Sequence, residues 1–126
     1  MRSVGIDCVE IERFKHWHTY STKQLVKIFS LQEIDYCLAN PNQSSERFAV
    51  RFAAKEATYK ALCALNIIER SFLTTARAFE VYKDNHVPHI VINWNILVGK
   101  NADNSIILRC SLTHTKTTAM AIILVI

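Results

Sequence analysis

Residues 45 to 65 read SERFAVRFAAKEATYKALCAL, and this stretch decides the fold. It is rich in Ala, Lys, Glu, Arg and Leu and holds no Gly or Pro, so helix propensity is high along its whole length. Phe48, Phe52, Tyr59 and Leu62 fall near one face, and Ala49, Ala53 and Ala57 allow close packing beside it. Upstream, Asn40-Pro41-Asn42 breaks the chain. Before that break, Ser30 with Glu33 three residues on has the capping-box pattern for a helix through about Leu38. A short helix is expected over Lys23 to Phe29. A further one is expected over Glu10 to Tyr20, where Ile11, Phe14 and Trp17 recur every third residue. Ser3 to Val9 reads as a strand. Downstream, Ala78 to Lys83 and Pro88 to Trp94 read as strands joined by a turn at Asp84 to Pro88. Ser105 to Leu112 and Ala119 to Ile126 complete the set, linked by the polar Thr113 to Thr118. One strand, then helices, then strands is α+β.

Composition removes several functions. With 126 residues, half of them hydrophobic and 21% charged, the chain is globular and of one-domain size. Two glycines are too few for a glycine-rich phosphate loop or a dinucleotide fingerprint, so any phosphates must meet side chains and cations. Cys8, Cys37, Cys63 and Cys110 are scattered without a CxxC pair, which argues against zinc and against a disulfide framework. They read as reduced, mostly buried thiols. No apolar run approaches the roughly 18 to 20 residues that cross a bilayer. Met1 to Asp7 reaches an acidic residue too soon for a secretion signal, so the expected location is cytoplasmic. The net charge of +4 favours an anionic partner: nucleic acid, an acidic protein surface or a phosphorylated small molecule.

Single residues are not specific. Asp7 in an apolar strand is more often a cap or turn residue than a ligand. Glu56 and Lys60 form an ordinary i,i+4 pair. Arg51 and Lys55 are unremarked alone, and His114 could simply be exposed. Their order along the chain is more telling. Phe52-Ala53-Ala54-Lys55-Glu56-Ala57-Thr58-Tyr59-Lys60 matches a WxxKEAxxK-type signature, with Phe at the aromatic position. Val4-Gly5-Ile6-Asp7 stands upstream and Ser111-Leu112-Thr113-His114-Thr115 near the end. With these three motifs in order, essentially the whole chain resembles holo-acyl-carrier-protein synthase, the small stand-alone class of 4'-phosphopantetheinyl transferases.

That resemblance implies an α+β fold with an antiparallel sheet packed against a long central helix. It also implies a single transferase domain over residues 1–126 and a homotrimer with active sites at the subunit interfaces. The implied reaction, a step of fatty acid biosynthesis, moves the phosphopantetheine arm of coenzyme A to a serine of apo acyl carrier protein and releases adenosine 3',5'-bisphosphate. Asp7 and Glu56 match the positions that hold Mg2+, and with Lys60 they form the implied catalytic set. Two acceptors for the serine proton stay open, Glu56 or a metal-bound water. Lys60 would offset charge on the pyrophosphate. Arg51 and His114, with Thr115 beside them, match positions at the 3'-phosphate end of coenzyme A. Arg13 matches a basic residue that meets the acidic carrier protein. Trp17 is either an apolar contact with that partner or part of the core. Lys23 and Lys27 either extend the basic surface or form a solvated face.

Two departures stand out. Relatives usually carry a glycine-rich turn of the kind KALGTGI, where this chain has Lys60-Ala61-Leu62-Cys63-Ala64-Leu65-Asn66-Ile67-Ile68. A left-handed turn there must fall on Asn66 or on a strained residue. A DGKP-like hairpin turn becomes Asp84-Asn85-His86-Val87-Pro88, read as a loop change without chemical consequence. Two rival readings are a non-transferring member that binds coenzyme A or carrier protein, and a basic nucleic-acid-binding module. Intact Asp7, Glu56 and Lys60 argue against the first. The second lacks a motif, and the aromatics sit mainly at core spacing.

Overall fold

In the computed structural model, which describes residues 1–97 and 102–126, β1 (Ser3–Glu10) alternates strictly between buried and open positions. Gly5, Asp7 and Val9 point inward, while Val4, Ile6 and Cys8 point outward. The chain then makes two 3-10 turns, Ile11–Phe14 and Trp17–Thr19, in place of the single helix expected over Glu10 to Tyr20. Apolar residues every third position match the 3.0-residue period of a 3-10 turn better than the 3.6 of an α-helix. The next helix also shrinks from the expected Lys23–Phe29, to α1 (Thr22–Leu25), which is closed by a Ser21/Gln24 capping box. α2 (Leu31–Leu38) begins with the Ser30/Glu33 box as expected.

α3 (Ser44–Cys63) is the spine of the fold, and it is buried on more than one side. Short α4 (Phe72–Thr75), unforeseen in the sequence, leads to the hairpin of β2 (Phe79–Asp84) and β3 (Val87–Ile92). α5 (Trp94–Leu97) is likewise new. β4 (Leu108–His114) and β5 (Thr118–Val125) close the chain. The expected polar connector is thus only a tight turn, and His114 is a strand residue. β1, β5 and β4 form one antiparallel sheet in that order, with Asp7 opposite Ala121 and His114 opposite Ala119. β2 and β3 form a second sheet.

α3 lies across the inner face of the three-stranded sheet, and one contiguous core runs from Val9 and Phe14 through Phe48 and Phe52 to Ile123 and Val125. The contact is unusually close at Gly5, where an added Cβ would stand 1.9 Å from the carbonyl oxygen of Ala57. Gly5→Ala must therefore push β1 away from backbone, which cannot yield as a side-chain tip can. We expect a loss of about 3 kcal/mol, the upper range for overpacking, and a melting temperature lower by about 10 °C. A melting temperature within about 2 °C of wild type would refute this close approach.

Asn66 adopts φ +58°, so the left-handed position does fall on it in the absence of glycine. Asn85 (φ +49°) and His86 (φ +67°) form the two-residue hairpin turn, whose positive φ values suit the strand twist. All four cysteines are free, with Cys37 buried and Cys8 exposed. Burial pushes the Cys37 thiol up to about 12, which keeps it inert.

Candidate active site

Asp7 projects inward from the middle of β1 and is 9% exposed. Its Oδ1 accepts a hydrogen bond from Lys60 Nζ at 3.0 Å, and the same ammonium donates to the Ile6 carbonyl at 3.2 Å. Among the described residues its buried Oδ2 has no partner. Glu56 stands beside it, one helical turn before Lys60. Burial, and then the Asp7 carboxylate beside it, raise the Glu56 carboxyl; Lys60 and Arg13 oppose the shift without cancelling it. Two carboxylates from two elements thus converge where one oxygen lacks a partner and one acid resists ionisation. A hard cation would satisfy both, so the donor set fits Mg2+. Among the described residues no third His, Cys, Asp or Glu joins the pair. That matches a metal that takes one or two carboxylates and completes its shell with water and substrate phosphate.

Arg51 lies five residues before Glu56, which turns it roughly 140° around the helix axis. It faces a separate cleft of ≈ 300 Å³ with Tyr36, Arg47, Lys83, His86 and His114. Arg51 is 4% exposed, and among the described residues its Nε has no partner. His114 Nε2 lies 3.1 Å from Glu46 Oε1, and its Nδ1 3.2 Å from the Thr115 carbonyl. Both ring nitrogens face acceptors. Thr115 holds the turn itself, its hydroxyl accepting the N–H groups of Thr117 and Thr118. A larger hollow of ≈ 610 Å³ beside Arg77, Asn93 and Trp94 lies at the opposite end of the hairpin.

Arg13 is exposed, with its guanidinium 5.1 Å from the Phe52 ring centre, on the Glu56 side of α3. Trp17 is half-buried among Phe14, Phe29, Phe48 and Phe52 and so packs with the core. Lys23 and Lys27 are exposed, and neither forms an ion pair among the described residues.

Sequence reasoning missed two groups. Lys55, taken as an ordinary helix lysine, is wholly buried and donates to Glu33 Oε1 at 2.8 Å and to the Phe79 carbonyl. Tyr36, Arg47, Lys83 and His86 were not singled out, although they line the same cleft as Arg51. The altered hairpin turn therefore does reach a candidate site.

The family model for the 4'-phosphopantetheinyl transferase superfamily matches residues 3–117. The chain is 32% identical over 123 residues to the holo-[acyl-carrier-protein] synthase of Treponema denticola, covering 97% of this chain and 95% of that one. It is 33% identical over 123 residues to the enzyme of the same name from Chlamydia trachomatis, with 97% of each chain covered. Among solved structures it is similar to the Helicobacter pylori holo-[acyl-carrier-protein] synthase in complex with coenzyme A, with a TM-score of 0.69, 28% identity, and 98% and 99% of the two chains covered. The Bacillus anthracis enzyme shares the fold, with a TM-score of 0.74 at 23% identity and 98% and 95% coverage.

Proposed function

The chain belongs to the 4'-phosphopantetheinyl transferase superfamily, and from that premise we infer that it is the enzyme that converts apo to holo acyl carrier protein. A serine hydroxyl of the carrier attacks the β-phosphorus of coenzyme A, giving its proton to Glu56 or to water as the serine O–P bond forms, the pyrophosphate P–O bond breaks, and adenosine 3',5'-bisphosphate departs with the electron pair of that bond. Such transfers depend on positioning and charge neutralisation. The observation that carries this reading is the meeting of Asp7, Glu56 and Lys60, with one Asp7 oxygen left unpartnered. Mg2+, when bound by Asp7 and Glu56, supplies positive charge to the pyrophosphate. The Lys60 ammonium, half exposed while it holds Asp7, adds a second cation for the same oxygens. Arg51 and His114 bind the 3'-phosphate end of coenzyme A, and Thr115 fixes the turn that presents His114. Arg13, beside Glu56, meets the acidic carrier protein, and Lys23 and Lys27 extend that basic surface. Trp17 supports Arg13 by fixing the aromatic floor on which it rests.

Residues 1–126 act as one domain in this reading, supported by a core that draws on both ends of the chain. A homotrimer is supported by two features. The outer face of the three-stranded sheet leaves Val4, Ile6, Met120 and Ile122 exposed, a patch that calls for a cover. Asp7 and His114 lie on the two edge strands of that sheet, with β5 between them, so one subunit's carboxylates are placed to work with a neighbour's cleft. Among the described residues no helix is long and apolar enough to cross a membrane. A cytoplasmic location accords with the acyl carrier protein as partner.

The test is incubation with coenzyme A, Mg2+ and an apo acyl carrier protein, followed by intact-mass measurement. A phosphopantetheine adduct on the carrier serine is expected, and its loss on chelation of the metal. An unmodified carrier, alongside a positive control that succeeds, would refute the assignment.

A further inference from the structure

Lys55 and Lys60 are both paired lysines of α3, yet their settings differ. Lys55 is sealed from water together with its carboxylate partner, whereas the Lys60 side chain is 51% exposed. The Lys60 ammonium spans two groups of one strand, Asp7 Oδ1 at 3.0 Å and the Ile6 carbonyl at 3.2 Å. An ammonium has three donors, so one is left over. An ion pair half open to water is weak, because solvent competes for the exposed partner. Lys60 is therefore a releasable tether on Asp7, where Lys55 is a fixed one.

Asp7 and Glu56 cannot serve Lys60 and a divalent cation equally well. Among the described residues Lys60 is the one cation within ion-pair distance of Asp7, and Glu56 has none. Lys60 stands one helical turn beyond Glu56, and its charge also bears on the Glu56 carboxyl. The ammonium thus acts on both of the carboxylates that fit Mg2+. Two carboxylates and one ammonium leave a single net negative charge, too little to balance a doubly charged ion. The two carboxylates alone would balance it. Like charges at such short range repel, and moving the ammonium away relieves the repulsion. The lysine stem permits that movement, since it is flexible and carries a compact charge with rotatable donors. Half of the side chain already faces solvent.

We propose that Lys60 is an exchangeable counter-ion: its ammonium yields Asp7 to a divalent cation and swings to a phosphate of the incoming substrate, so that one side chain makes cation and phosphate binding cooperative. Lys60 then has two discrete sets of partners, Asp7 with the Ile6 carbonyl or a phosphate, and each ligand favours the second set. Two consequences run against a purely structural role. Removing the ammonium strengthens the metal site even as it slows transfer. It also weakens the fold only where no metal is supplied, because two neighbouring carboxylates then lack a cation. The identities of the ion as Mg2+ and of the phosphate as that of coenzyme A rest on the reading above; the exchange itself rests on Lys60, Asp7 and Glu56.

Titration of the full chain with Mn2+, an oxygen-seeking stand-in for Mg2+ whose free ion is counted by electron paramagnetic resonance, tests this without any transfer step. Lys60→Met is expected to bind Mn2+ about tenfold more tightly than wild type, and Lys60→Arg, which keeps the charge, within about threefold of it. Asp7→Asn should lose the ion. Saturating coenzyme A should tighten Mn2+ binding in wild type, and about tenfold less so in Lys60→Met. In chelator, Lys60→Met should melt about 4 °C below wild type, and millimolar Mg2+ should close that gap. Lys60 is exposed on α3, so Lys60→Met does not fail by unfolding. A lysine that only shaped the site would, on removal, loosen the ion and leave the melting gap open. Mn2+ binding by Lys60→Met no tighter than wild type, while Asp7→Asn loses it, overturns the exchange and leaves the metal pair standing. Binding that survives Asp7→Asn, or none by wild type even with coenzyme A, sinks the metal pair and the exchange together. A tighter Lys60→Met site in a protein whose wild type modifies no carrier supports the exchange and sinks only the transferase reading.

Discussion

Glu56→Gln is expected to lower transfer to apo acyl carrier protein about a thousandfold while leaving the fold intact. Each factor of ten costs about 1.4 kcal/mol of barrier, so the loss amounts to about 4 kcal/mol, in keeping with removal of one of the two carboxylates proposed to hold the metal. The stability side of this prediction is less obvious. Glu56 is raised by burial and by the neighbouring Asp7, so its ionised form is a burden on the unliganded fold. Glutamine removes that charge, keeps the shape, and offers an amide N–H to Asp7, whose buried Oδ2 otherwise has no partner. The variant should therefore melt at or above the wild-type temperature. The benefit of ligand should vanish instead. A ligand at a hundred times its dissociation constant stabilises by about 2.7 kcal/mol. Wild type should gain on that order from Mg2+ with coenzyme A over coenzyme A alone, and Glu56→Gln should gain almost nothing from the metal. Activity that survives the change across a wide range of Mg2+, or an undiminished metal-dependent melting shift, would show that Glu56 does not hold the ion.

That pair of carboxylates was legible only through the three motifs and the resemblance they carry. Taken alone, Asp7 reads as a cap or turn residue and Glu56 with Lys60 as an ordinary i,i+4 pair, and no local spacing shows that β1 and α3 bring Asp7 to Glu56. The αL turn at Asn66 was legible locally: with no glycine present, asparagine is the residue that tolerates positive φ at low cost. The segment from Ile11 to Thr19 was misread as one helix, although apolar residues at every third position suit the 3.0-residue period better, because short 3-10 turns are chosen by packing. The aromatic cluster around Trp17 decides the matter. The cleft was only half legible. Arg51 and His114 came with their motifs, whereas Tyr36, Arg47 and Lys83 come from α2, α3 and β2, and nothing in the spacing of 36, 47 and 83 shows that they meet. Long-range juxtaposition of polar residues leaves no periodic trace.

Lys55→Met is expected to be the most destabilising single change at a polar position, and its cause lies in a residue that also seemed already explained. Glu33 was legible as the far side of a capping box, and one of its oxygens does accept the Ser30 N–H at 2.9 Å. The same carboxylate accepts the Val81 N–H at 3.1 Å through its other oxygen and pairs with Lys55 at 2.8 Å. Lys55 also donates to the carbonyls of Ala76, at 3.4 Å, and of Phe79. Both side chains are effectively inaccessible to water. One ion pair thus ties α2, α3 and the start of β2 together through backbone groups that have no water to turn to. Burial draws the Lys55 ammonium down, and the Glu33 charge pushes back; the ammonium is tolerable only while that partner is present. Methionine fills much the same volume but leaves a carboxylate uncompensated and two carbonyls weakened. Breaking a buried pair from one side costs about 3 to 5 kcal/mol, a large part of the 5 to 15 typical of a whole domain. The melting temperature should fall by about 15 °C. Removing both charges, in Glu33→Gln with Lys55→Met, should cost clearly less than the two single changes added together, because the stranded charge is gone. The damage should also reach the cleft, since Tyr36 on α2 and Lys83 on β2 are carried by the elements that this pair fastens to α3. A Lys55→Met protein within about 1 kcal/mol of wild type, or strict additivity in the double mutant, would show that the pair is not the buried fastening described.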